Sequence, residues 1–128
     1  MRLLLDSHTL IWAVDEPTRL STAAATALRD PNNDLLLSAA SIWEIAIKAG
    51  LRRLHLSLPY RQWMNQAVAT LGWGVLPITV DYADVQAGLP QHHGDPFDRL
   101  LVAQALTEKI AIVSADVLLD RYGVTRLW

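Results

Sequence analysis

The 128 residues are enough for one domain with a core of its own. With 52% hydrophobic and 19% charged residues the composition excludes a disordered chain, and the lack of cysteine excludes disulfides, thiolate zinc and cysteine nucleophiles. A net charge of −2 argues against coating nucleic acid through bulk positive charge, but it leaves room for an enzyme that holds phosphates with a metal and a few local cations.

No apolar stretch approaches the roughly 18 residues of a membrane span. The N-terminus enters a strand with no cleavable signal pattern, so a soluble protein of the reducing cytoplasm, without membrane contact, is expected. Leu3 to Leu5 predict the first strand, followed by a helix through Leu10, Ile11 and Trp12. Beyond Pro17, Ser21 opens an alanine-rich helix to about Arg29, and Asp30-Pro31-Asn32-Asn33-Asp34 is turn chemistry. Leu35 to Leu37 predict the second strand, and Ser38 to Ala49 the next helix, ended by Gly50. A helix beginning at Pro59 carries Trp63, Met64, Ala67, Val68 and Leu71 and stops at Gly72. Val75 to Ile78 read as a strand whose Pro77 favours an edge position. Val80 to Ala87 read as helix, 88–94 as loop, and Asp95-Pro96 as the start of a helix reaching about Lys109. Ile110 to Val113 form a fourth strand, and Thr125 to Trp128 a short fifth. Continuous apolar strands alternating with helices predict an α/β fold with a parallel sheet covered on both faces, in one domain spanning 1–128.

Four acids stand where packing has reason to exclude them. Asp6 follows Leu3-Leu4-Leu5, Glu44 lies inside Ile42-Trp43-Glu44-Ile45, Asp98 precedes Leu100-Leu101-Val102, and Asp116 follows Ile112-Val113-Ser114-Ala115. Acids in apolar context are expensive unless something positive meets them. Each also has a purely structural reading. Asp6 or Ser7 caps the first helix, Ser41-x-x-Glu44 matches a capping box, Asp95-Pro96-x-Asp98 is a favourable helix start, and Ser114 caps a short helix carrying Asp116. Lys48, one turn beyond Glu44, offers an ion pair. Against these stands the conjunction: in open α/β sheets the carboxyl ends of the strands form the binding crevice, and the acids are delivered there together. A cluster of hard oxygens suits Mg²⁺ or Mn²⁺, which polarise a phosphodiester without a histidine or serine nucleophile.

His8, His92 and His93 are poorly spaced for a tetrahedral zinc site; His92 and His93 fit a surface loop, or contacts that support a metal or phosphate. Trp12, Trp43, Trp63, Trp73 and Trp128 read as core or interface residues. Trp63, Met64 and Leu71 on one helix predict an apolar patch and hence a homodimer. Lys48, Arg52 and Arg53 read as solvated charges, whereas Arg99, next to Asp98, is expected to touch phosphate.

At these residues the chain resembles the PIN-domain ribonucleases, specifically the toxin components of VapBC-type toxin–antitoxin systems. The resemblance rests on Leu4-Leu5-Asp6-Ser7-His8-Thr9, Ser38-Ala39-Ala40-Ser41-Ile42-Trp43-Glu44, Asp95-Pro96-Phe97-Asp98-Arg99-Leu100-Leu101 and Val113-Ser114-Ala115-Asp116, in that order. It implies a PIN-like three-layer α/β/α sandwich with about five parallel strands in order 3-2-1-4-5. It further implies Mg²⁺- or Mn²⁺-dependent endoribonuclease activity, with Asp6, Glu44, Asp98 and Asp116 as the metal-binding catalytic acids. Ser7, Asp95, Arg99, Ser114 and His93 stand as supporting residues. RNA as substrate, a small antitoxin whose tail blocks the acidic groove, and a second copy of the chain are the partners it implies. Two other functions compete: a silent PIN module that only binds RNA or protein, and a dehalogenase-like phosphatase using Asp6. The latter lacks its usual second aspartate, since position 8 is histidine.

Overall fold

The computed structural model describes all 128 residues. Five strands, β1 (Arg2–Leu5), β2 (Asp34–Ser38), β3 (Gly74–Leu76), β4 (Ala111–Val113) and β5 (Arg126–Leu127), form one sheet in order 3-2-1-4-5. Every neighbouring pair is parallel, with Leu4 of β1 opposite Leu36 of β2 on one side and Ile112 of β4 on the other. The order and the edge position of β3 agree with expectation. The connecting helices are α1 (Ser7–Asp15), α2 (Thr22–Arg29), α3 (Ala39–Gly50), α4 (Tyr60–Leu71), α5 (Val80–Ala87) and α6 (Pro96–Glu108), with 3₁₀ segments at Pro17–Arg19 and Val117–Tyr122.

The continuous apolar strands follow from burial on both faces. Side chains alternate along a strand, so Leu3, Leu5, Leu35, Leu37 and Val113 enter one core with residues of α1, α2 and α4. Leu4 and Ile112 enter the other, against Leu101, Val102 and Ala105 of α6. Each such leucine contributes about 1.5–3 kcal/mol through burial. A third cluster, Ala40, Tyr82 and Leu100, joins α3, α5 and α6. No helix is long and apolar enough to cross a membrane.

Trp63 and Met64 correct the expectation of an apolar surface patch. They are 0% and 8% exposed, packed with Leu10, Leu28 and Leu37, and Trp63 Nε1 donates to Asp15 at 3.0 Å. The stated reason for a homodimer therefore falls. The large apolar residues that do face solvent include Trp43, Ile78 and Val80.

Helix ends bring two further corrections. Ser41 is no capping residue: Ser38 caps α3, accepting from the Ala40 N–H at 3.2 Å, while the Ser41 hydroxyl is buried without a partner. Ser38 wins because it is the last residue of β2 and already extended, as a cap must be. Gly50 is the last residue of α3 rather than its left-handed terminator. That position belongs to Arg52, at φ 58°, whereas Gly72 ends α4 at φ 64° as glycine should.

Candidate metal centre

The carboxyl end of β1 is tied to that of β4 by the Asp6 N–H, which donates to the Val113 carbonyl at 3.2 Å. The Thr9 hydroxyl donates to the same carbonyl at 2.8 Å, fixing α1 over the crevice. Asp6 caps α1, accepting from the His8 N–H at 3.1 Å. It also accepts from the Ser114 hydroxyl at 2.6 Å, and the Ser7 hydroxyl lies 3.5 Å away. Burial would raise the Asp6 carboxyl; the His8 imidazole beside it, the Ser114 hydroxyl and the His8 N–H together bring it below its ordinary value.

Glu44 is 3% exposed on the inner face of α3. Its Oε1 accepts from the Ser7 hydroxyl at 2.7 Å and its Oε2 from Lys48 Nζ at 2.6 Å. The ion pair offered by sequence spacing thus exists, inside the acidic cluster rather than instead of it. Burial works against the Lys48 ammonium, but Glu44, with Asp95 and Asp98 beyond it, holds its pKa above the ordinary value.

Asp116 caps the Val117–Tyr122 segment through the Leu118 N–H at 3.0 Å. Its own N–H donates to the Ser114 hydroxyl at 3.1 Å, so Ser114 supports both Asp6 and Asp116. The expectation that Ser114 caps this segment is corrected: Ser114 stands two residues before the cap, Asp116, and supports it. His93 Nε2 lies 2.8 Å from Asp116 Oδ2, and Tyr122 holds His93 from behind, through the His93 N–H at 2.9 Å and Nδ1 at 3.1 Å. Nothing local in the sequence marks Tyr122 for this role, since loop 88–94 and the 3₁₀ segment meet only in the fold.

Asp95 caps α6 through the Phe97 N–H at 2.8 Å, leaving Asp98 in the first turn. Asp98 stands apart from the other three acids, which all accept hydrogen bonds, in that neither of its oxygens is engaged. Burial raises its pKa first, and the negative charges of Asp95, Asp6 and Glu44 raise it further, to about 7. The fold thus brings Asp6, Glu44, Asp95, Asp98 and Asp116 around one crevice. Donor atoms of His93, Asp98 and Asp116 lie within 4.8 Å of one another. Carboxylates that repel one another, with hard oxygens free on Asp98, suit a hard divalent cation.

Arg99 departs from expectation. One position along the helix turns it away from the crevice, and its buried guanidinium donates to the carbonyls of Pro90 at 2.8 Å, Gln86 at 2.9 Å and Leu89 at 3.3 Å. It pins the loop that carries His93 and has no face for a phosphate. His8, set aside as a zinc ligand, stands at the mouth of the site instead, its Nδ1 3.8 Å from Asp6 Oδ1.

The PIN domain family model matches residues 3–124 of the chain. The chain is 36% identical over 118 residues to Ribonuclease VapC22 of Mycobacterium tuberculosis, an alignment covering 89% of this chain and 86% of that protein. Among solved structures, its fold resembles VapBC2 from Rickettsia felis bound to a DNA fragment from its promoter, with TM-score 0.72, 12% identity and coverage of 98% and 97%. FitAcB from Neisseria gonorrhoeae follows at TM-score 0.65 and 17% identity, covering 97% of this chain and 95% of that one. VapBC-1 from nontypeable Haemophilus influenzae gives TM-score 0.65 and 16% identity, covering 98% and 96%. With a family match that begins in β1 and ends just past Asp116 and Tyr122, and a relative sharing over a third of the aligned residues, the chain belongs to the PIN-domain family.

Proposed function

We propose that residues 1–128 form a single PIN domain acting as a divalent-metal-dependent endoribonuclease, the toxin of a toxin–antitoxin pair, held in check by a small cognate antitoxin. The observation that carries this reading is the group of Asp6, Glu44, Asp98 and Asp116 at the carboxyl edge of the sheet, with Asp98 pushed up to about 7 by burial and by the neighbouring acids. The ribonuclease relative and the toxin–antitoxin neighbours support the substrate and the partner.

Asp98 and Asp116, with Asp6 behind them, would hold Mg²⁺ or Mn²⁺. That ion would polarise the phosphodiester and neutralise the charge that builds on it during attack by water. The chain's own contribution is preorganisation. Ser114 and the His8 N–H fix the Asp6 carboxylate, Ser7 and Lys48 fix both oxygens of Glu44, and the Tyr122–His93 pair fixes Asp116. Keeping Asp98 free of hydrogen bonds leaves both its oxygens for the ion. A homodimer belongs to the same proposal, now supported by the exposed Trp43, Ile78 and Val80 in place of the buried Trp63.

The test is a cleavage assay on total RNA with purified protein, in Mg²⁺, in Mn²⁺ and in chelator. Metal-dependent cleavage by the native chain and none by Asp98→Asn is the expected result. RNA that is bound but never cut in either metal would leave a silent binding module as the correct reading.

A further inference from the structure

The C-terminus of α3 closes in a Schellman turn. The Arg53 N–H donates to the Lys48 carbonyl at 2.9 Å and the Arg52 N–H to the Ala49 carbonyl at 3.1 Å. This motif brings the side chains of its first and last residues together, and an apolar pair usually closes it, with glycine at the left-handed position between. Here the pair is Lys48 and Arg53, two cations, and the left-handed position is filled by Arg52 at φ 58°. Both departures work against stability. A left-handed conformation is strained at a residue with a Cβ, and two like charges repel.

The pair opens onto a cavity of its own, which shares Ser7 and Glu44 with the acidic cluster. Ile11, Ile45 and Leu54 give it an apolar lining, and the His8 imidazole joins the cations Lys48 and Arg53 on its rim. Lys48 is half satisfied by Glu44 and His8 faces Asp6, but Arg53 has no acidic or carbonyl partner anywhere in the chain. The six lysines and arginines that lack a partner include Arg29 at the other end of the strands. Among these six, only Arg53 lines a cavity continuous with the carboxylates.

The geometry points to an RNA backbone subsite at this cavity, in which Arg53, with Lys48 and His8, takes the phosphate next to the one presented to the acidic crevice. The inference rests on the ribonuclease reading above and adds where the strand runs: from the crevice, past Ser7, over α3 toward its C-terminus. An anion between Lys48 and Arg53 relieves their repulsion, and an apolar floor beneath a cationic rim suits a sugar carrying a phosphate better than it suits an acidic peptide. Arginine's planar fork matches phosphate oxygens.

The experiment measures binding of a fluorescein-labelled short single-stranded RNA of mixed sequence to the Asp98→Asn protein in Mg²⁺, across a salt series. Adding Arg53→Leu should weaken binding about tenfold. It should also lower the slope of log K against log salt by about 0.7. Because leucine removes the repulsion between the two cations of the turn and packs against the aliphatic stem of Lys48, the same variant should melt at an equal or higher temperature, which a purely structural arginine would not allow. Arg53→Lys should recover part of the affinity, and Arg29→Ala should leave affinity and slope unchanged. In the Asp98-intact protein, Arg53→Leu should raise KM for cleavage far more than it lowers kcat. Unchanged affinity and slope in Arg53→Leu, with metal-dependent cleavage by the native chain intact, overturns the subsite alone. With a fluorescein-labelled polyglutamate peptide as a second probe, a larger loss of peptide affinity than of RNA affinity in Arg53→Leu overturns it in favour of a protein partner. Absence of any cleavage by the native chain overturns the ribonuclease reading instead.

Discussion

Ser114 donates its hydroxyl to Asp6 Oδ2 at 2.6 Å while accepting from the Asp116 N–H at 3.1 Å, so one buried side chain joins two acids 110 positions apart in sequence. Ser114→Ala removes both contacts at a position with no access to water. The cost should be about 1–3 kcal/mol, the penalty for a buried acceptor left short of a donor. Urea denaturation measures it. The Asp6 carboxyl should rise at the same time, because Ser114 is among the groups that hold it down. The variant should therefore lose cleavage at acidic pH before it loses it at neutral pH.

Tyr122 touches none of the four acids, yet it fixes His93, which in turn fixes Asp116. Partners one step removed from a ligand commonly change metal affinity 10–100-fold when lost. Tyr122→Phe keeps the ring that stacks on His93 and packs with Leu119, and removes only the hydroxyl. Titration with Mn²⁺, followed by thermal shift, should show weaker binding by about tenfold. Unaltered Mn²⁺ affinity would mean that His93 holds its place without help.

Arg99 offers a clear contrast between two roles. As a phosphate contact, its loss would weaken RNA binding and spare the fold. As a pin for the Gln86, Leu89 and Pro90 carbonyls, its loss must destabilise the protein and free the His93 loop. Arg99→Ala should lower stability by roughly 2–3 kcal/mol, since hydrogen bonds to charged groups are the strong ones. Amide exchange should quicken in 88–94 while the strands stay protected.

The strands were legible because apolar runs buried on both faces carry no competing signal, and the five-strand order followed from the family resemblance. The four acids were legible because each interrupts an apolar segment. Of their supports, Ser7, Ser114 and His93 were expected from the family resemblance and do contact Glu44, Asp6 and Asp116, whereas the place of Arg99, the cap of α3 and the part played by Tyr122 were not legible. Arg99 sits beside Asp98 in sequence, but a step of about 100° along the helix turns it toward α5. The Ser41-x-x-Glu44 spacing matches a capping box, yet Ser38 takes the cap because β2 delivers it already extended. Trp63 and Met64 share a helix face with apolar neighbours, a pattern equally good for core and for interface, and only the position of α4 against β1 and β2 decides. Tyr122 and His93 meet across 29 positions with no periodicity to announce them.

Asp98 separates the structural and catalytic readings of the cluster most sharply, because it caps nothing and accepts no hydrogen bond. Its carboxyl is raised from 3.8 to about 7 in the metal-free protein, so the folded chain holds a proton there that the unfolded chain has released. The sign follows: this group's contribution is fully present below pH 4 and is lost as pH rises toward about 7. Asp6, held below its ordinary value, acts in the opposite sense at lower pH, so the comparison must be between native chain and variant across that window. Asp98→Asn has no proton to lose, and its stability relative to the native chain should therefore rise as pH goes from about 4 to about 7. Mg²⁺ should close that gap by stabilising only the native protein, by about 2.7 kcal/mol at a hundred times its dissociation constant. Cleavage should vanish in the variant at every pH. Melting curves at several pH values, with Mg²⁺ and with chelator, read both effects. A variant that melts lower than the native chain at pH 8 without metal would show that Asp98 serves the fold and not the ion.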